Sequence, residues 1–170
     1  MEKVVIFIPT LTAGGAERVA CILANYWSEV RHVTLITYFG EDNFYRLSEK
    51  VEHICLGYKS RRTKLQRTND IARAIWRFRA IVREIKPRFV LSFMNKYNVF
   101  VLASLYNSDI PVIISERDSP QEILPKIRVH LRNLLYPTAA GLICQTLAFQ
   151  KFINRATNVR SSITIPNPVS

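Results

Sequence analysis

Long apolar runs are missing from this 170-residue chain. A bilayer span takes about 20 consecutive apolar residues, and nothing here approaches that. The first apolar stretch, residues 4–8, is too short for the core of a secretory signal, and Glu2 stands where such signals carry positive charge. Cysteine is scarce: Cys21, Cys55 and Cys144 are odd in number, far apart and set in apolar segments. They fit small core side chains in a reducing compartment better than disulfides or metal ligands. His32, His53 and His130 have no Cys, Asp or Glu at metal-ligand spacing, so no metal site is expected. The chain also lacks a GxGxxG dinucleotide fingerprint, a phosphate-loop Gly-Lys-Ser/Thr and a Gly-x-Ser-x-Gly nucleophile elbow. Internal repeats and low-complexity tracts are absent. The expectation is a cytoplasmic globular protein with no self-sufficient catalytic centre.

Positive charge is what the chain has in excess, with 24 Lys+Arg against 13 Asp+Glu and a net +11. The excess is local. Residues 57–100 carry 12 basic and 2 acidic side chains, whereas residues 1–56 carry 5 basic and 7 acidic and residues 101–170 carry 7 and 4. A one-sided basic surface suits an anionic partner: phosphate, nucleic acid or an acidic membrane.

Short β-rich runs cover 4–8, 33–39, 51–56, 89–93, 111–115, 141–145 and 163–166, and helical spacing covers 16–28, 70–86, 97–107, 121–136 and 147–155. Several strands are almost continuously apolar, which marks strands covered on both faces of a parallel sheet. Strand–helix alternation with right-handed crossovers gives an α/β, Rossmann-like, doubly wound domain: a mainly parallel sheet of about seven strands with helices on both faces. Residues 1–166 form that domain. The prolines at 166 and 168 make residues 167–170 read as the start of an interdomain linker.

Ligands of open parallel sheets bind beyond the carboxyl ends of the strands. After the first strand come Thr12, Gly14, Gly15 and Glu17, where Thr12 is a candidate helix cap and the glycines either open the backbone to a ligand at a helix N-terminus or form a tight turn. After the fourth come Ser92, Asn95, Lys96 and Asn98, and after the fifth Glu116, Arg117 and Asp118. The Ser-Glu-Arg-Asp run reads equally as helix capping with a local ion pair or as a substrate-binding segment.

Residues 56–69 read as a basic loop with Lys59, Arg61, Arg62, Lys64 and Arg67. On the following helix Ile71, Ala74, Ile75, Phe78, Ile81, Val82 and Ile85 fall on one arc, a core face. Arg73, Trp76, Arg77, Arg79 and Arg83 lie opposite. That face either contacts anionic lipid with Trp76 at the headgroups, or is solvated with the basic loop folded over Trp76. A nucleic-acid-binding module built on 57–100 is the alternative from another class. Against it, Phe78 falls on the core face and no nucleic-acid motif is present.

Thr10-Leu11-Thr12-Ala13-Gly14-Gly15-Ala16-Glu17-Arg18, directly after an apolar first strand, resembles the amino-terminal signature of glycosyltransferase family 4. The segment from Ile114 to Pro120 is similar to the fifth-strand exit of its bacterial members, and Ile165-Pro166-Asn167-Pro168-Val169 to their crossing into a second domain. The resemblance implies a two-domain retaining enzyme, usually without a metal. Its amino-terminal domain holds a saccharide acceptor and its second domain a nucleotide sugar, which serves as co-substrate with no bound cofactor. It implies that the Gly14-Gly15 loop lies against the donor diphosphate or the acceptor, and that Glu116 and Arg117 line the acceptor side. It further implies a polyprenyl-diphosphate-linked acceptor at the inner membrane face, peripheral attachment there, and no transfer by this chain alone.

Overall fold

The computed structural model describes residues 1–40, 44–58, 64–117 and 125–166, without the side chains of 64–68. The expected Lys59, Arg61, Arg62 and Asp118, and the side chains of Lys64 and Arg67, therefore lie outside the described residues.

Seven strands form one sheet: β1 (Lys3–Ile8), β2 (His32–Phe39), β3 (Val51–Tyr58), β4 (Phe89–Phe93), β5 (Val112–Ser115), β6 (Gly141–Cys144) and β7 (Ser162–Thr164). The spatial order is β3-β2-β1-β4-β5-β6-β7, and every adjacent pair is parallel. Among the described residues five helices connect them: α1 (Gly15–Trp27), α2 (Lys64–Ile85), α3 (Asn95–Ser104), α4 (Lys126–Leu135) and α5 (Leu147–Thr157). A 3-10 turn over Tyr136–Thr138 follows α4.

β1 shows why the sequence folds this way. Val4 to Ile8 are wholly buried, and their alternation feeds two cores. Val5 and Phe7 pack with Phe78 and Val82 of α2 and with α3. Val4, Ile6 and Ile8 pack with Val19, Ala20 and Ala24 of α1. The helices cover the two faces unevenly: α2, α3, α4 and α5 touch one another in series on one face, while α1 lies against β1 and β2 on the other.

Three expectations are corrected. The basic stretch after β3 becomes helical from Lys64, so α2 begins seven residues before its apolar period opens at Ile71. α3 begins at Asn95, so Asn95 and Lys96 belong to its first turn. Ile71, assigned to the core face, stays 48% exposed at the mouth of a cavity that it helps to line.

Candidate functional site

The strand order reverses between β1 and β4, and the crevice of a doubly wound sheet opens at that switch point. Beyond it lie the exits of β1, β4 and β5. The β1 exit is tied down from β2 and the segment after it. Tyr38 N and Phe39 N donate to Pro9 O at 3.1 and 3.0 Å, Phe44 N to Leu11 O at 2.8 Å, and Tyr45 Oη to Gly14 O at 3.1 Å.

Gly14, not Thr12, is the residue that precedes α1, and no side-chain oxygen caps the helix there. Thr12 instead pairs with Thr10 at 3.1 Å. Glu17 folds back over the helix start, is 8% exposed, and accepts from Thr10 Oγ1 at 3.1 Å. Its carboxylate complements the positive end of α1. A Cβ on Gly14 would stand 2.2 Å from Glu17 Oε2, whereas a Cβ on Gly15 would meet nothing within 4 Å. Gly14 thus makes room for the chain's own carboxylate, and Gly15 presents open backbone on a helix turn whose first N–H groups have no intrahelical acceptor.

At the β4 exit Met94 has φ 73°, a backbone conformation that side chains other than glycine disfavour by roughly 1–3 kcal/mol. Its N–H donates to Ser115 O at 3.0 Å, which holds the exits of β4 and β5 together. The turn aims Asn95 and Asn98, three residues apart on α3, at Glu116. Both Nδ2 groups donate to Glu116 Oε1 at 3.3 Å, Asn98 Nδ2 also donates to Ser115 O at 3.1 Å, and Tyr136 Oη donates to the same carboxylate oxygen. Burial, and then the neighbouring Glu116 charge, push the Tyr136 phenol well above its ordinary value.

The acceptor-side residues expected from the sequence therefore separate into two layers. Ser92, Asn95 and Glu116 are buried, with exposures of 0, 3 and 1%, and form a polar layer beneath the crevice rather than its lining. Ser92 lies inside β4, in register with Phe7 and Ile114. Lys96 is exposed with Nζ 5.1 Å from the Tyr97 ring centre. Arg117 is half-buried, donates from Nε to Ser115 Oγ at 3.0 Å, and rests its guanidinium 5.5 Å from the Phe93 ring centre. Burial lowers its pKa from the ordinary value. Thr146, at the β6 exit, caps α5 by accepting from Phe149 N at 3.2 Å.

On α2, Arg73, Trp76, Arg77 and Arg83 are all exposed, Trp76 at 74%. Arg77 also donates to Leu56 O at 2.9 Å, so it ties α2 to β3. Among the described residues, no helix is long and apolar enough to cross a membrane, and no group of three or more His, Cys, Asp or Glu could hold a metal ion.

Tyr136 and the grouping of aromatic residues from separate segments went unnoticed in the sequence. Tyr38, Phe39, Tyr58, Tyr97 and Phe100 gather around a cavity beside the crevice. The available signal was positional: aromatic residues leave β2, β3 and β4 in turn.

No protein-family model matches the chain. It is 27% identical over 159 residues to a curated protein of Campylobacter jejuni, GalNAc-alpha-(1->4)-GalNAc-alpha-(1->3)-diNAcBac-PP-undecaprenol alpha-1,4-N-acetyl-D-galactosaminyltransferase. The chain resembles a glycosyltransferase. The match covers 91% of this chain and 44% of that protein, so the chain spans less than half of its relative's length. Among solved structures it superposes on sucrose-phosphate synthase from Thermosynechococcus elongatus with a TM-score of 0.77 at 10% identity, covering 98% of this chain and 48% of that one. UDP-N-acetylglucosamine 2-epimerase from Rickettsia bellii gives 0.72 at 12% identity, covering 98% and 45%. One scaffold thus serves transfer and epimerisation, so these likenesses establish the Rossmann-like fold and leave the reaction to the residues.

Proposed function

We propose that this chain is the acceptor-side half of a retaining glycosyltransferase of the family 4 kind. It would act on a polyprenyl-diphosphate-linked saccharide at the cytoplasmic face of a membrane, with a nucleotide sugar as co-substrate. The donor would be bound by a second domain or chain facing the crevice. The observation that carries the reading is the open backbone of Gly15 at the switch point, in a chain whose relative is a glycosyltransferase acting on a PP-undecaprenol saccharide.

In such a transfer the bond from the anomeric carbon to the donor diphosphate breaks. The bond from that carbon to an acceptor hydroxyl oxygen forms, and the hydroxyl proton leaves with the diphosphate. The help this chain would give is positional and electrostatic. The first turn of α1 supports a role in receiving a diphosphate or an acceptor oxygen through backbone N–H groups over Gly15. Lys96 and Arg117 supply positive charge at the rim, and the Asn95–Asn98–Glu116–Tyr136 layer keeps that rim in place. Arg73, Trp76 and Arg83 support peripheral contact with anionic lipid.

The test supplies the protein with UDP-N-acetylhexosamines and a polyprenyl-diphosphate-linked oligosaccharide, and follows acceptor mass. A gain of one sugar is expected when a donor-binding half is present and none with this chain alone. Transfer by the 170 residues alone would refute the half-enzyme reading. No transfer with the donor half supplied would refute the activity.

A further inference from the structure

Between the outer ends of β2 and β3 and helices α2, α3 and α4 lies an open cavity of about 420 Å³, the size of a small-molecule site. Its floor is aromatic, with the Tyr38 ring 5.1 Å from Tyr58 and 5.4 Å from Phe100, centre to centre. Ile71 and Ile75 of α2 and Leu131 and Leu135 of α4 wall it, and two charged residues, the buried Asp70 and the exposed Lys96, also line it. Two of the lining residues are left in water: Ile71 on α2 is 48% exposed and Leu131 on α4 is 37% exposed. Leu131 has exposed apolar neighbours on its own helix, since Ile127 and Leu134 are 67% and 62% exposed. Ile127, Leu131 and Leu134 follow the spacing of one helix face, so α4 turns an apolar stripe to solvent, preceded by the exposed Lys126. Contiguous apolar surface of this kind marks a contact with a ligand or a membrane.

The occupant has to match an apolar cavity, a cationic rim and an apolar exit path together. A free saccharide could meet Lys96, Asp70 and the tyrosines but would leave the apolar walls of α2 and α4 uncovered. An anionic headgroup without a chain would leave the cavity unused. An amphiphile with a diphosphate and a branched hydrocarbon chain matches all three features, with the exposed Lys96 as the cation among the lining residues. We infer that this cavity holds the first isoprene units of a polyprenyl-diphosphate acceptor, with the diphosphate at the Lys96 rim and the rest of the chain leaving between α2 and α4. The inference rests on the transfer reading above and assigns the part of the acceptor that this chain grips.

The experiment titrates the protein with farnesyl diphosphate and with inorganic diphosphate by calorimetry. Farnesyl diphosphate is expected to bind at least tenfold more tightly. Ile71→Gln puts an uncharged polar group at the mouth without touching a buried side chain, and Ala103→Phe fills the cavity from half-buried Ala103 on α3. Both are expected to abolish the gain from the chain and to leave inorganic diphosphate binding as it is. Equal affinity of the wild type for the two ligands would overturn the inference, as would a gain that survives in either folded variant. Competition by a free N-acetylhexosamine oligosaccharide, lost in the same variants, would make the cavity a saccharide site and also overturn it. Because the readout is binding, the two readings fail separately. Transfer to a lipid-free glycan with no gain from the chain removes this inference alone, and a gain in a protein that transfers no sugar removes the transfer reading alone.

Discussion

The Tyr136 hydroxyl donates to the Glu116 carboxylate across 20 residues of sequence, joining the 3-10 turn after α4 to the exit of β5. Both residues are almost fully buried, so the phenol is a partner that this carboxylate cannot replace with water. Tyr136→Phe is expected to lower unfolding stability by about 1–3 kcal/mol, the cost of stripping a hydrogen bond from a buried charged group. The raised phenol pKa sets the alkaline behaviour. The folded chain keeps a proton that the unfolded chain releases near pH 10. That stability is fully present below about pH 10 and declines as pH rises toward the folded value. Denaturant midpoints from pH 8 to 11 should therefore fall more steeply in the wild type than in Tyr136→Phe, and parallel slopes would count against the assignment.

Gly14 and Gly15 are adjacent but answer to different neighbours. Gly14→Ala would push the Glu17 carboxylate off the start of α1 and break its hydrogen bond from Thr10. Glu17 is flexible enough to move, so the expected cost is about 1 kcal/mol rather than collapse. Gly15→Val meets open space at its Cβ and should leave the thermal midpoint within a few degrees of wild type while lowering kcat/KM, measured with the donor-binding half present, at least tenfold. Full activity of Gly15→Val would remove the loop from the site.

The exposed cations of α2 are separable from the fold. Arg77 holds Leu56, so the informative pair is Arg73 and Arg83. Arg73→Glu with Arg83→Glu is expected to reduce co-sedimentation with phosphatidylglycerol vesicles at least fivefold without changing the circular dichroism. Undiminished sedimentation would sink the membrane role of this face.

The cysteines should react in a fixed order. Cys21 and Cys144 are buried, and burial pushes each thiol up to about 11, so little thiolate is present near pH 8. Cys55 is half-buried and accepts from Gly57 N at 3.2 Å. Iodoacetamide at pH 8 is expected to label Cys55 alone in the native protein and all three thiols in denaturant, read by peptide mass. Early labelling of Cys144 would contradict the packing under β6.

Most of the sheet was legible because strands such as β1 are apolar without a break, and only a sheet covered on both faces accommodates that. The seven residues that open α2, all polar but Leu65, hid its true start, since apolar spacing begins only at Ile71 and Ile71 itself is half exposed. At the site, the spacing of Asn95 and Asn98 was visible but their target was not. A glutamate after a strand reads as exposed until a tyrosine from another element is known to meet it. The aromatic cavity was scattered over β2, β3, α2, α3 and α4, and only the fold gathers it.

The claim that this chain is the acceptor side is tested most directly by its own binding preference. Titration calorimetry should compare a polyprenyl-diphosphate-linked oligosaccharide with UDP-N-acetylhexosamines on the 170-residue chain. The account predicts micromolar or tighter binding of the lipid-linked saccharide and binding of the nucleotide sugars at least tenfold weaker. Tight binding of a nucleotide sugar with none of the lipid-linked saccharide would contradict it.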